Sequence, residues 1–156
     1  MAWEIDLIHC TFGVEHPFMD AQHSLCGILK CHIQEWRRSP AAWNLVYHIA
    51  RENDQYYSDA NVEITDIDTF IQSLLKAKEQ VMCTLACSEE TISTWENNDT
   101  MLPENKIVSL QDYDISDINT QHDINRLITF IDDVVSIMRY YPQDKRSYYQ
   151  FHCADW

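Results

Sequence analysis

Only two glycines, Gly13 and Gly27, occur in 156 residues, and this scarcity limits the folds open to the chain more than any other feature. Glycine supplies the positive-φ conformations of tight turns and lets a backbone approach a ligand closely. A phosphate-cradling loop needs several glycines in one short stretch, so P-loop and Rossmann nucleotide chemistry are excluded. Few tight turns also point to a helix-dominated chain. The apolar share of 46% is too high for an extended disordered polymer, and the length suits one domain. A core of that size can bury about two thirds of the chain's surface.

Charge narrows the partners. With 25 acidic and 11 basic residues the formal net charge is −14, and a polyanion is repelled by nucleic acid and by anionic membrane surfaces. The start, Met1-Ala2-Trp3-Glu4-Ile5-Asp6, carries acids where a signal peptide carries a basic start and an apolar run. No stretch approaches the roughly 18 apolar residues of a membrane helix. Six cysteines (Cys10, Cys26, Cys31, Cys83, Cys87, Cys153) without a secretory signal are expected to be reduced. The chain is therefore expected to be a soluble cytoplasmic protein.

Apolar spacing predicts a succession of helices. From Asp20 to Arg38, Leu25, Ile28, Leu29, Ile33 and Trp36 recur at helical spacing behind a candidate N-cap. Ser39-Pro40 opens the next helix, which runs to about Ser58 and buries Trp43, Val46, Tyr47 and Ala50. Thr65 or Asp66 caps a third, with Ile67, Phe70, Ile71, Leu74 and Leu75 on one stripe. A break is expected near the charged run Lys76-Ala77-Lys78-Glu79, before Val81, Met82, Leu85, Ala86, Ile92 and Trp95. Pro103 opens a short helix, and a long one begins near Ser116 or Thr120 and stops before Pro142. Only Trp3–Val14 is ambiguous between helix and strand. The expected architecture is an all-α, single-domain bundle of six or seven helices: an N-terminal segment 1–19, a bundle 20–140 and an aromatic tail 141–156.

No catalytic, cofactor or metal constellation emerges. His9, Cys10, His16, His23, Cys26, Cys31 and His32 crowd the N-terminal third, and Cys83 and Cys87 are spaced to share a helix face, yet no zinc-finger spacing occurs. Asp20-Ala21-Gln22-His23 is similar to hemerythrin-like iron proteins but lacks their His-x3-Glu helix. Cys31-His32 and His152-Cys153 are adjacent pairs that point apart on a helix and cannot act together as nucleophile and base. Asp112, Asp114 and Asp117 alternate as in a calcium loop, without its glycine or its bidentate glutamate. Asp132-Asp133 reads as a solvated face. Aromatic residues cluster at both ends, and Trp3, Tyr148, Tyr149 and Trp156 are the candidate partner-binding residues; the C-terminal group either packs back on the core or forms a docking patch.

Four landmarks follow in order: His32-Ile33-Gln34-Glu35-Trp36-Arg37-Arg38; Leu45-Val46-Tyr47 leading to Tyr56-Tyr57; Thr84-Leu85-Ala86-Cys87 running to Trp95; and a final apolar helix over Asp114–Met138. Over about residues 20–140 this order resembles the poxvirus Bcl-2-like family of intracellular host-response inhibitors. The resemblance implies a small-residue helix at the centre of a bundle, which Cys83, Ala86 and Cys87 would suit, and in which Leu85→Asp would unfold the domain. It also implies a non-enzymatic viral protein that binds a host signalling adaptor or kinase to inhibit NF-κB or interferon signalling, with a helical face that also serves homodimerisation. The charge supports a different expectation, an acidic immunity or antitoxin-type protein masking a basic enzyme. A metal-dependent helical-bundle enzyme is the third reading.

Overall fold

A computed structural model describes residues 3–12, 28–37, 39–140 and 147–155. Five strands and five helices are described, in the order β1 (Trp3–Phe12), β2 (Ile28–Arg37), α1 (Pro40–Glu52), β3 (Tyr56–Tyr57), β4 (Asn61–Ile64), α2 (Ile67–Leu85), α3 (Glu89–Ser93), α4 (Glu104–Gln111), α5 (Gln121–Tyr140) and β5 (Ser147–Asp155). The strands form one antiparallel sheet ordered β2-β1-β5-β4-β3. The all-α, Bcl-2-like bundle is thereby overturned: the chain is α+β.

Two of its strands, β2 and β5, come from segments expected to be helix and tail, and the Trp3–Val14 stretch, open between helix and strand, supplies β1. In β5, Tyr149, Phe151 and Cys153 alternate onto the core face and pair across from His9, Leu7 and Ile5 of β1. That is the period-2 pattern of a strand with one buried face. Val62 and Ile64 of β4 extend the same face opposite Phe151 and Tyr149. Residues 28–37, read as the end of a helix, form β2. Its pairing with β1 shifts between Leu7 and Ile8, so Ile33 is the extra residue of a β-bulge. The bulge breaks the alternation of the apolar residues and produces the three- and four-residue spacing that imitates a helix.

Helices cover the core face. Phe70 of α2 and Phe130 of α5 both pack on Phe151, with ring centroids 5.6 and 6.2 Å apart. Trp36 of β2 meets Phe130 edge-on at 4.8 Å. Asp133, expected on a solvated face, anchors α5 to the sheet instead: its Oδ2 accepts from Trp36 Nε1 at 3.0 Å and Gln34 Nε2 at 3.2 Å. Removing a shared acceptor strands its donors. Asp133→Ala should therefore cost about 1–3 kcal/mol in urea unfolding, whereas a solvated residue would cost less than about 0.5 kcal/mol.

The remaining helices follow their local signals with two corrections. Pro40 stands at the first position of α1, which ends at Glu52 and not near Ser58; the chain then turns into the β3–β4 hairpin. Asp66 caps α2, its Oδ1 accepting from the Thr69 N–H at 3.2 Å. No break occurs at Lys76–Glu79. Ala77 and Val81 stay on the buried stripe, and the helix ends at Leu85, capped by Ala86 in the left-handed conformation at φ 52°. Ending there puts Cys87 outside the helix, so Cys83 and Cys87 do not share a helix face.

Candidate functional site

Between Glu89 and Asp123 the chain places nine acidic residues and a single basic one, Lys106. Every one of these acids except Asp123 is exposed. Met101, Val108 and Tyr113, 63%, 53% and 44% exposed, lie in the same stretch and are half of the exposed large hydrophobic residues among those described. Buried Ile92, Trp95, Leu102, Leu110, Ile115 and Ile118 root the segment in the core.

Its backbone is held firmly. Ser88 caps α3, accepting from the Thr91 N–H at 3.3 Å, and Glu89 and Glu90 occupy the first turn, where negative charge is favoured. Lys78 of α2 reaches Glu89 Oε1 at 2.5 Å and Asp132 Oδ1 at 2.8 Å, joining α2, α3 and α5. Burial alone would lower the Lys78 pKa, but the two carboxylates outweigh it and hold it above the usual lysine value. Backbone bonds from Leu102 to Asn119 (2.8 Å) and from Gln121 to Thr100 (2.9 Å) zip the loop before α4 to the start of α5. There Asp123 accepts from the Asn119 and Thr120 N–H groups while Thr120 Oγ1 accepts from the Asp123 N–H, a reciprocal cap. The alternating aspartates do not gather around a common point: Asp114 faces His48 of α1 at 3.4 Å, and Asp117 accepts from Asn44 of α1.

A groove of about 740 Å³ borders this surface, between α3, α5 and the end of β2. Trp36, Ile92 and Ile128 contribute apolar lining, Glu89, Glu90, Glu96 and Asp132 contribute acids, and Arg37 and Arg126 contribute bases.

The sheet face turned away from the core carries a second polar group of residues. Asn61 Oδ1 accepts from Gln150 Nε2 at 2.7 Å and lies 3.0 Å from His152 Nδ1, while Lys30 Nζ donates to Gln150 Oε1 at 3.3 Å. Cys10 and Tyr148 sit opposite each other on this face, both buried and outside the main core cluster. Burial pushes the Cys10 thiol up; burial and the hydrogen bond to Cys10 push the Tyr148 hydroxyl up to about 12. Farther along, Asp6 stands directly across from Glu35, and Asp6 Oδ1 lies 3.1 Å from His32 Nε2. Arg37 Nη2 donates to Glu35 Oε1 at 3.3 Å, and its Nε lies 4.0 Å from Glu4 Oε2. A carboxyl–carboxyl hydrogen bond raises Glu4 above the usual carboxylate range and lowers Glu35 below it.

The residues singled out in the sequence fall as follows. Trp3 lies in β1, Tyr148 and Tyr149 are 4% and 1% exposed within β5, and Trp156 lies outside the described residues. His16, His23 and Cys26 also lie outside them. His9 packs edge-on against Tyr149 at 5.2 Å, and Cys31 and Cys83 are exposed thiols. His152 and Cys153 are successive strand residues, so they project to opposite faces of the sheet. Among the described residues, the one grouping of three metal-ligating side chains is Asp6, His32 and Glu35. Only His32 of these stood out in the sequence, because its neighbours come from another strand and from across a bulge. The acidic run 89–123 is contiguous in sequence and stands apart from the aromatic residues at the chain ends that the sequence points to.

These features define an α+β protein with an antiparallel sheet, helices on one sheet face and an acidic helix–loop surface. No helix among the described residues is long and apolar enough to cross a membrane. No protein-family model, curated protein or solved structure matches the chain.

Proposed function

We propose that this chain is a non-enzymatic protein-binding module whose acidic surface over residues 89–123 masks a basic partner protein. One observation carries the reading: eight exposed acids and three exposed hydrophobic side chains share a single well-anchored segment. Acids steer a cationic partner and fix its register, whereas Met and Tyr supply the apolar contact that holds it. The groove beside α3 offers Glu90 and Glu96 to a basic side chain entering from that partner. Inhibition of host NF-κB or interferon signalling drew its support from a helical bundle, and the sheet removes that support. What both readings share, action by binding another protein, is retained.

The test is affinity capture of partners from cells, followed by binding kinetics at physiological and at about 1 M salt, where the Debye length falls to about 3 Å. The expected partner is basic. Its association should slow by about tenfold or more in high salt and in the double variant Glu90→Lys/Glu96→Lys, with dissociation much less affected. Tyr113→Ala should instead speed dissociation. A captured partner whose association ignores both salt and charge reversal would refute the electrostatic mask.

A further inference from the structure

The outer sheet face carries a different chemistry. Asp6, His32 and Glu35 each offer a ligand atom, and these atoms lie within 4.8 Å of one another. The bulge at Ile33 creates the group. In an unbroken strand His32 and Glu35, three positions apart, would point to opposite faces. Inserting one residue brings both to the face that carries Asp6.

The arrangement is otherwise costly. Like charges directly opposed across an antiparallel pair destabilise a sheet, yet Asp6 faces Glu35, and Glu4 lies within ion-pairing reach of the same Arg37 that engages Glu35. Three carboxylates therefore meet one permanent cation, Arg37, which engages Glu35 through Oε1. His32 and Glu35 are exposed and Asp6 is half-buried, so an ion and its water have access.

We propose that Asp6, His32 and Glu35 form a divalent-metal site of the zinc class, with water completing the coordination shell. One imidazole nitrogen and two carboxylate oxygens suit Zn²⁺, whereas Mg²⁺ and Ca²⁺ prefer all-oxygen sets. Zinc–ligand bonds of about 2.0–2.2 Å put neighbouring ligand atoms roughly 3.3 Å apart. The 3.1 Å between His32 Nε2 and Asp6 Oδ1 is close to this, and a Glu35 oxygen lies within 4.8 Å of both. The site rests on the sheet and is independent of the acidic segment, so either assignment can fail alone.

Zn²⁺ titration of the full chain, stripped of metal and kept reduced, should give one site per molecule in calorimetry, and excess Mg²⁺ should not displace the metal. His32→Gln and Glu35→Gln should each weaken binding by about tenfold or more, while Cys31→Ser, which removes the neighbouring exposed thiol, should leave it unchanged. In the unsubstituted protein the His32 imidazole ¹⁵N signals should shift on Zn²⁺ addition, a readout that does not depend on a variant folding. The proposal is overturned by absence of stoichiometric Zn²⁺ binding, by unchanged His32 signals, or by loss of binding in Cys31→Ser but not in His32→Gln.

Discussion

A chain ending at residue 146 should not fold. β5 pairs with β1 from Trp3↔Asp155 to Thr11↔Ser147 and with β4 from Asn61↔His152 to Ile64↔Tyr149, so it is the strand that joins the two halves of the sheet. It also supplies Tyr149, Phe151 and Cys153 to the core. Burial of each large side chain is worth about 1.5–3 kcal/mol. Two strands would lose a ladder as well, leaving backbone groups to be satisfied elsewhere. These losses together exceed much of the roughly 5–15 kcal/mol that separates folded from unfolded states in most domains. Thermal denaturation followed by circular dichroism should show no cooperative transition. A truncated chain melting cooperatively near the full-length temperature would mean that β5 is an appendage.

Phe130→Ala should be the most damaging single truncation on α5. Its ring is fully buried between Trp36 and Phe151, where the helix layer meets the sheet. Phe→Ala substitutions in such positions cost about 3–5 kcal/mol, from lost transfer energy and from the cavity left behind. At about 2–4 °C per kcal/mol for a chain of this size, the melting temperature should fall by roughly 6–20 °C. Urea unfolding should show a lower midpoint at an unchanged slope, the signature of a stability change without altered compactness. A loss below about 1 kcal/mol would show that the ring does not join the two layers.

The parts of the fold that were legible and those that were not differ in a physical way. α1, α2, α4 and α5 announced themselves through local signals that act within a few residues: Pro40 at a first turn, Asp66 as a cap, Pro103 before α4 and sustained apolar stripes. The strands depend on partners far along the chain. β2 was obscured because the Ile33 bulge spaces its apolar residues like a helix. β5 was obscured because Tyr148 is apolar on the outer face, hiding the alternation of Tyr149, Phe151 and Cys153. With the sheet in place the presumed central helix also changes meaning. Leu85 is the last residue of α2 and only partly buried, so Leu85→Asp should disturb the fold less than a charge at Leu74 or Val81, which are fully buried.

The candidate sites divide along the same line. The acidic surface is contiguous in sequence, so a count of acids from Glu89 to Asp123 is able to find it. The Asp6–His32–Glu35 group is not, because it needs both the β1–β2 register and the bulge. Spacing rules for metal sites work within one helix or one turn, and they do not reach across a ladder.

The pairing of β1 with β5 also orders events in time. During synthesis at about 5–20 residues per second, the first strand waits on the order of 10 s before its inner neighbour has been made. Throughout that interval β1 and β4 lack the strand that finally joins them, and the edges they turn toward it stay unpaired. Unpaired strand edges template aggregation, so the nascent chain is exposed to it until β5 has been made, and a holding chaperone would act in that interval. Non-local closure of this kind also folds slowly, so the rate at which the last strand inserts, more than the formation of any helix, sets how soon the molecule can bind anything.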